Sequence, residues 1–367
     1  MRQYRTDNAE PIKIAVYCLL FLVSLTALGS RLLGEKKLID YAMLSRPYWI
    51  TFTEKASAVR RPSSSGLPRV ETRENKIFSF GYSNAFYPEG EDSDLALLLV
   101  DAMSTKPESP AMTVIKWHYS GANMFDFYCM FYRAMKESPD LIILPINWLT
   151  FRRAFIDLHF HPEMSMFVPL RTRFSATYEN PLSMRGISFE NHLQYKLHYF
   201  SRYPEGLRSW ARENTKTSWE KLSGNRSATV KSRRIVDNFF SPDPVRQGPA
   251  FQTQIEDSNL TLRTLSAFAH VASEHEVPVL FYIWPLDYEY LEDNAFLERA
   301  AFEQAKKLVI DTARKPNVYV EDFSYLLAHR YFHDISGHCT KDGREIIADA
   351  LATSVLEILR EDPRRHE

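Results

Sequence analysis

The feature that most constrains this chain is a rhythm in which short, largely apolar runs alternate with longer amphipathic ones. Residues 76–80, 112–117, 140–145, 278–283 and 317–321 form the short runs, the first closed by Gly81. Residues 94–103, 125–136, 260–275, 296–313 and 343–360 form the longer ones. Leu95, Leu98, Leu99 and Ala102 recur at helical spacing in the first of these, and Ile346, Ile347, Ala350, Leu351, Val355 and Leu359 in the last. A strand wetted on one face alternates apolar with polar residues, whereas a strand covered on both faces has no polar side to present. The uninterrupted runs therefore predict an α/β fold built on a doubly wound parallel sheet with helices on both faces.

The rhythm lapses between residues 151 and 257, which are rich in arginine, proline and aromatics, and we expect a largely helical insertion there. Its aromatics, among them Tyr195, Tyr199, Phe200, Tyr203 and Trp210, suit helix packing better than a sugar platform. The expected organisation is a membrane segment (1–34), a connector (35–75), two halves of the α/β domain (76–150 and 258–367) and the insertion between them. The connector carries Arg60-Arg61-Pro62-Ser63-Ser64-Ser65-Gly66, which is loop chemistry.

Residues 14–30 carry no charge and lie between Lys13 and Arg31. As a helix they would span about 25 Å, near the hydrocarbon thickness of a bilayer. An uncleaved signal anchor is the first expectation; a cleaved signal peptide is the alternative, because Ala27-Leu28-Gly29 supplies small residues at a cleavage spacing. Either way the body lies outside the cytoplasm, in a bacterial periplasm or at a cell surface. A formal net charge of −1 and the lack of a long basic block argue against a nucleic-acid partner. Of the three cysteines, Cys18 sits in the apolar segment, so at most one bridge, Cys129 to Cys339, could form in the body. No CxxC pair occurs, and His159 and His161 have no carboxylate pattern beside them, so no metal and no cofactor are expected.

Chemistry concentrates in four segments: Phe78-Ser79-Phe80-Gly81-Tyr82-Ser83-Asn84, Tyr119-Ser120-Gly121-Ala122-Asn123, Pro145-Ile146-Asn147-Trp148 and Asp334-Ile335-Ser336-Gly337-His338. The first three fall at predicted strand ends, the edge where open parallel sheets bind ligands. Ser83 there could act as a nucleophile if His338 accepted its proton and Asp334 oriented the imidazole. The backbone N–H groups of Ser83 and Gly121 and the amide of Asn147 could stabilise an oxyanion. Tyr82, Asn84, His118, Trp148 and Arg152 are candidate pocket residues, Arg152 as a contact for an anionic substrate. Taken singly, each has a plainer use: Gly121 in a turn, Asn147 as a helix cap, His118 as a packed strand-end residue, Cys339 as small packing beside His338.

In their order and content these blocks resemble the SGNH (GDSL-like) hydrolases, a likeness that spans residues 76–359 with the insertion inside it. Gly81-Tyr82-Ser83 matches the family's nucleophile block, Gly121 and Asn147 its oxyanion blocks, and Asp334 with His338 its last block. Tyr82 and Trp148 stand where the family often has aspartate, and Asp334 precedes His338 by four residues instead of three. Asp322 and Glu321 are therefore alternative orienting acids. Together with an exported body, the resemblance implies the branch that handles envelope polymers, such as the alginate O-acetylation proteins and the D-alanyl transfer protein of teichoic acid modification. It implies a serine esterase or O-acyltransferase acting on an acylated polysaccharide, with an acyl-donor or export-complex protein as a further partner. The alternative is a catalytically silent scaffold or polysaccharide-binding component of such a complex.

Overall fold

A computed structural model describes residues 75–86, 94–106, 109–118, 121–158, 162–174, 178–198 and 255–361. The predicted membrane segment, the connector up to residue 74, and His159, His161, Tyr199, Phe200, Tyr203 and Trp210 lie outside them. The chain forms two compact units, Met1–Thr53 with Gln194–Lys231 and Glu54–Leu193 with Ser232–Glu367; nearly all described residues belong to the second. No helix among the described residues is long and apolar enough to cross a membrane.

The second unit is built on a five-stranded parallel sheet in the order β2-β1-β3-β4-β5. Its strands are β1 (Asn75–Gly81), β2 (Met112–His118), β3 (Leu141–Ile146), β4 (Val279–Ile283) and β5 (Val318–Asp322). Every residue of β3 and β4 is buried, as uninterrupted apolar runs require. The helices in chain order are α1 (Leu95–Thr105), α2 (Met124–Ala134), α3 (Arg153–Leu158), α4 (Pro181–Met184), α5 (Phe189–His198), α6 (Leu260–Glu274), α7 (Tyr288–Asp293), α8 (Arg299–Ala313) and α9 (Lys341–Glu361). Residues 296–313, read from sequence as one helix, begin helical structure only at Arg299. A separate short helix, α7, precedes them, and Ala295 between the two takes a left-handed φ of 55°.

Alternation along β1 splits the core. Ile77 joins Leu99, Met103, Ile347, Leu351 and Val355 in a cluster under α1 and α9. Phe78 and Phe80 face the other way, where Phe80 stacks on Trp117 (5.5 Å, 8°) and Phe127 (5.8 Å), and Phe268 meets Phe131 and Phe281 from α6. Because β1 lies between β2 and β3, the chain winds to one side of β1 and then to the other. That reversal opens a crevice at the carboxyl end of β1, between it and β3, the place where sheets of this order bind ligands.

Asp94 starts α1 as its N-cap, accepting from Ala96 N–H (2.9 Å), and its other oxygen receives Lys116 Nζ (3.2 Å). Burial alone would raise its carboxyl, but His118, Lys116 and the Ala96 N–H outweigh burial and hold the pKa at about 2. A depressed carboxylate contributes stability above its unfolded value of about 3.9 and loses it as pH falls through the folded value. We expect Asp94→Asn, which keeps the cap oxygen, to flatten the acid limb of urea-derived stability between about pH 4 and 2, by about 2 kcal/mol. An unchanged limb would assign the acid sensitivity to other groups.

Candidate active site

Ser83 stands two residues beyond β1, at the first position of a one-turn 3-10 helix (Ser83–Ala85) whose preceding residue, Tyr82, is extended. The turn lifts the serine over the sheet edge. Its Oγ lies 3.0 Å from His338 Nε2, and His338 Nδ1 lies 2.7 Å from Asp334 Oδ2. The carboxylate at Nδ1 places the imidazole proton there, leaving Nε2 to accept from the serine. The histidine side chain is 2% exposed and that of Asp334 27%. Burial would raise the Asp334 carboxyl, yet the hydrogen bond and charge of His338, with Ser336 and the His338 N–H, keep it below the ordinary range.

The extra residue between Asp334 and His338 is absorbed by the loop. Asp334 Oδ1 accepts from Ser336 N–H (2.9 Å) and His338 N–H (3.3 Å), and Gly337 takes a φ of 86° that only glycine adopts readily. Oδ2 is thereby left for the imidazole. Ser336, which the sequence did not single out, donates its hydroxyl to Asp334 and lies 2.9 Å from His338 Nδ1. The loop is tied to two strand ends. The Gly337 carbonyl accepts from Trp284 Nε1 (2.7 Å) just past β4, and from Asn84 Nδ2 (3.1 Å) beside Ser83. Trp284 was also missed; an isolated tryptophan after a strand gives no sequence signal of which carbonyl it will bind.

The alternative acids do other work. Asp322 ends β5, accepts from Ser324 N–H (3.0 Å) and pairs with Lys306 (2.9 Å), while Glu321 sits within β5 opposite Tyr282. Asp334 is the acid on His338. Gly121, three residues past β2, adopts a φ of 73°, and Asn147 follows β3 directly; these loops flank the serine on either side. Asn147 serves the plainer use as well, since its Oδ1 accepts from Leu149 N–H (2.9 Å) and caps the turn Trp148–Phe151. That bond occupies the oxygen and turns no donor away, so the Nδ2 end can still serve an oxyanion. Tyr119 and Ser120 lie outside the described residues.

Several expected pocket residues are corrected. Tyr82 is 3% exposed and its ring packs on Phe127 (4.9 Å). Its hydroxyl, facing Thr150 and the Asn147 backbone, is driven above its usual pKa by burial. Trp148 is 1% exposed, wedged between Phe151 and Phe302. Asn84 is spent on the Ser336 and Gly337 carbonyls, and His118 is buried against Ser79 and Asp94. All four side chains are thus packed away from solvent. Arg152 differs from them in being half-buried, with no ion pair among the described residues, and lowered in pKa by burial. Cys129 and Cys339 are both buried and not joined by a disulfide, so the one bridge open to the body does not form. Burial pushes the Cys339 thiol well up, which removes it as a rival nucleophile.

No protein-family model matches this sequence, and no curated protein does. Solved structures overlap it loosely. A catalytic mutant of an acetylxylan esterase from Geobacillus stearothermophilus is 14% identical, with a TM-score of 0.38 over 78% of this chain and 96% of its own. The acetyl xylan esterase AlAXEase is 12% identical, with a TM-score of 0.35 over 76% and 99%. A protein assigned to the lipolytic G-D-S-L family, from Desulfitobacterium hafniense DCB-2, is 11% identical, with a TM-score of 0.35 over 76% and 99%. At such values the geometry of the site, not the overlap, carries the functional argument.

Proposed function

We propose that this chain is an SGNH-like serine ester hydrolase or O-acyltransferase. The observation that carries the reading is the continuous Ser83–His338–Asp334 hydrogen-bond chain at the carboxyl edge of a parallel sheet. Ser83 Oγ attacks the acyl carbon while its proton passes to His338 Nε2, and the carbonyl electron pair moves onto oxygen. Collapse expels the alcohol, which takes the proton from His338 and leaves an acyl-serine. Water or a sugar hydroxyl then gives its proton to His338 and attacks the acyl carbon. Free acid or a new ester departs and Ser83 is restored. Asp334, ionised through the neutral range, steadies the imidazolium formed in each half.

The finer reading is an acylated envelope or exported polysaccharide as substrate, with the body held outside the cytoplasm by residues 1–34. It rests on the uncharged N-terminal segment and on the resemblance described above. Incubation of the full chain with an acetylated glycan, with and without an unacetylated acceptor, tests it. Acetate release alone assigns a hydrolase, and acetyl transfer to the acceptor a transferase. Neither product, from protein whose Ser83 is reactive toward a phosphonate, would reject the glycan as substrate.

Asn147 offers a separate check, because its two amide ends have different duties. Both Asn147→Ala and Asn147→Asp lose the N–H donor, and we expect kcat to fall about 10²- to 10³-fold in each. Only the alanine variant also loses the cap, at a cost of about 1 kcal/mol. Full activity in the aspartate variant would confine Asn147 to capping.

A further inference from the structure

A second serine–histidine–aspartate array lies behind the first, and the reading of Ser83 as nucleophile does not use it. His118, at the end of β2, places Nε2 2.8 Å from Ser79 Oγ, and its Nδ1 lies 3.1 and 3.3 Å from the two oxygens of Asp94. Lys116 Nζ closes on the same carboxylate at 3.2 Å. The bonding pattern repeats that of Ser83, His338 and Asp334, but the setting is opposite. Ser79 is 3% exposed, and the side chains of His118 and Asp94 are 2% and 3% exposed. No acyl group could reach Ser79, so the array is not a second catalytic centre.

Its position explains it better. Gly81 pairs with His118 across the sheet, one residue before Tyr82 and two before the nucleophile. A Cβ on Gly81 would lie 2.7 Å from His118 Cδ2, 3.0 Å from His118 Cγ and 3.1 Å from the Ala85 methyl. The imidazole therefore rests directly on the Gly81 backbone, and Ala85, the last residue of the nucleophile turn, folds against the same spot. A ring bonded at one nitrogen can still tilt. One bonded at both, to a hydroxyl on β1 and to the capping carboxylate of α1, is fixed in plane and angle. We propose that Ser79, His118 and Asp94 form a positioning relay: His118 is the seat on which the turn carrying Ser83 is set, and Ser79 and Asp94 hold the seat still. This inference rests on Ser83 being the nucleophile and adds residues that act through it without touching substrate.

The experiment compares full-length parent, His118→Ala, Ser79→Ala, Gly81→Ala and the Gly81→Ala/His118→Ala pair. It reads kcat and KM for an aryl acetate, the rate of fluorophosphonate addition to Ser83 by intact mass, and the folded fraction by near-ultraviolet circular dichroism. Per folded molecule, His118→Ala should lose about a hundredfold in kcat and in the phosphonylation rate, with KM within about twofold. Ser79→Ala, which keeps the ring but releases Nε2, should lose about fivefold in both rates. Gly81→Ala drives a methyl into the ring, so the paired variant should be faster than Gly81→Ala alone. A purely structural role would lower the folded fraction and leave both rates per folded molecule at the parental value. That result in His118→Ala, or in Ser79→Ala if the larger change does not fold, overturns the relay. Absence of Ser83 labelling in the parent would instead reject the nucleophile itself.

Discussion

Ser83→Ala should abolish turnover while leaving the fold intact. The hydroxyl is small, hydrogen-bonded among the described residues to His338 Nε2 at 3.0 Å, and its loss removes no buried apolar surface. Serine proteases that lose this group fall by about 10⁶-fold in kcat and keep only what the oxyanion donors and substrate binding supply. We expect a loss of at least about 10⁴-fold in ester hydrolysis, an unchanged urea midpoint, and disappearance of the single fluorophosphonate adduct expected in the parent. Parental turnover in the alanine variant would end the proposed mechanism. A parent that folds but takes up no phosphonate would favour a silent scaffold or a site completed by a partner.

The second large effect belongs to Asp334. Asparagine at this position keeps the shape but presents an amide to His338 Nδ1. The imidazole can then carry its proton on Nε2, where it no longer accepts from Ser83. Loss of the orienting charge in such a triad costs about 10⁴-fold in kcat, and we expect a similar fall for Asp334→Asn. Two features sharpen the test. Asp322→Asn, which breaks the link to Lys306, should alter stability without this loss, because Asp322 does not meet the imidazole. Ser336→Ala should cost far less than Asp334→Asn, since Asp334 Oδ2 still reaches Nδ1 without it. Equal losses in Asp322→Asn and Asp334→Asn would contradict this assignment of the acid.

Much of the sheet was legible because burial on both faces leaves a mark in composition. A strand with no wet side is a nearly unbroken apolar run, as in the fully buried β3 and β4. All five strands lie within one residue of the runs read from the sequence. Ser83, Gly121 and Asn147 could be nominated through their place at strand ends, and His338 through its place before the last helix. The helical break at Ala295 was not, since a left-handed alanine has no composition of its own. The packing of Tyr82 and Trp148, both candidate pocket residues, was not legible in the sequence, whereas His118 takes the plainer use as a packed strand-end residue. A polar or aromatic residue near a strand end can point into the crevice or back into the core, and sequence spacing does not distinguish the two.

Periodicity by itself determined the α/β class, the parallel sheet and the crevice edge, because these follow from which faces must avoid water. Local chemistry nominated Ser83 and His338, the first as a hydroxyl just past a strand end and the second as an imidazole with an acid upstream of the last helix. Only the tertiary structure decided among Asp334, Asp322 and Glu321. Each is a carboxylate near the right place in the chain, and the choice rests on a left-handed Gly337 and on Lys306 claiming Asp322. It alone brought Ser79, His118 and Asp94 together from β1, β2 and the start of α1. Hydrogen bonds between elements depend on register and winding, and neither is written in the spacing of residues along one strand.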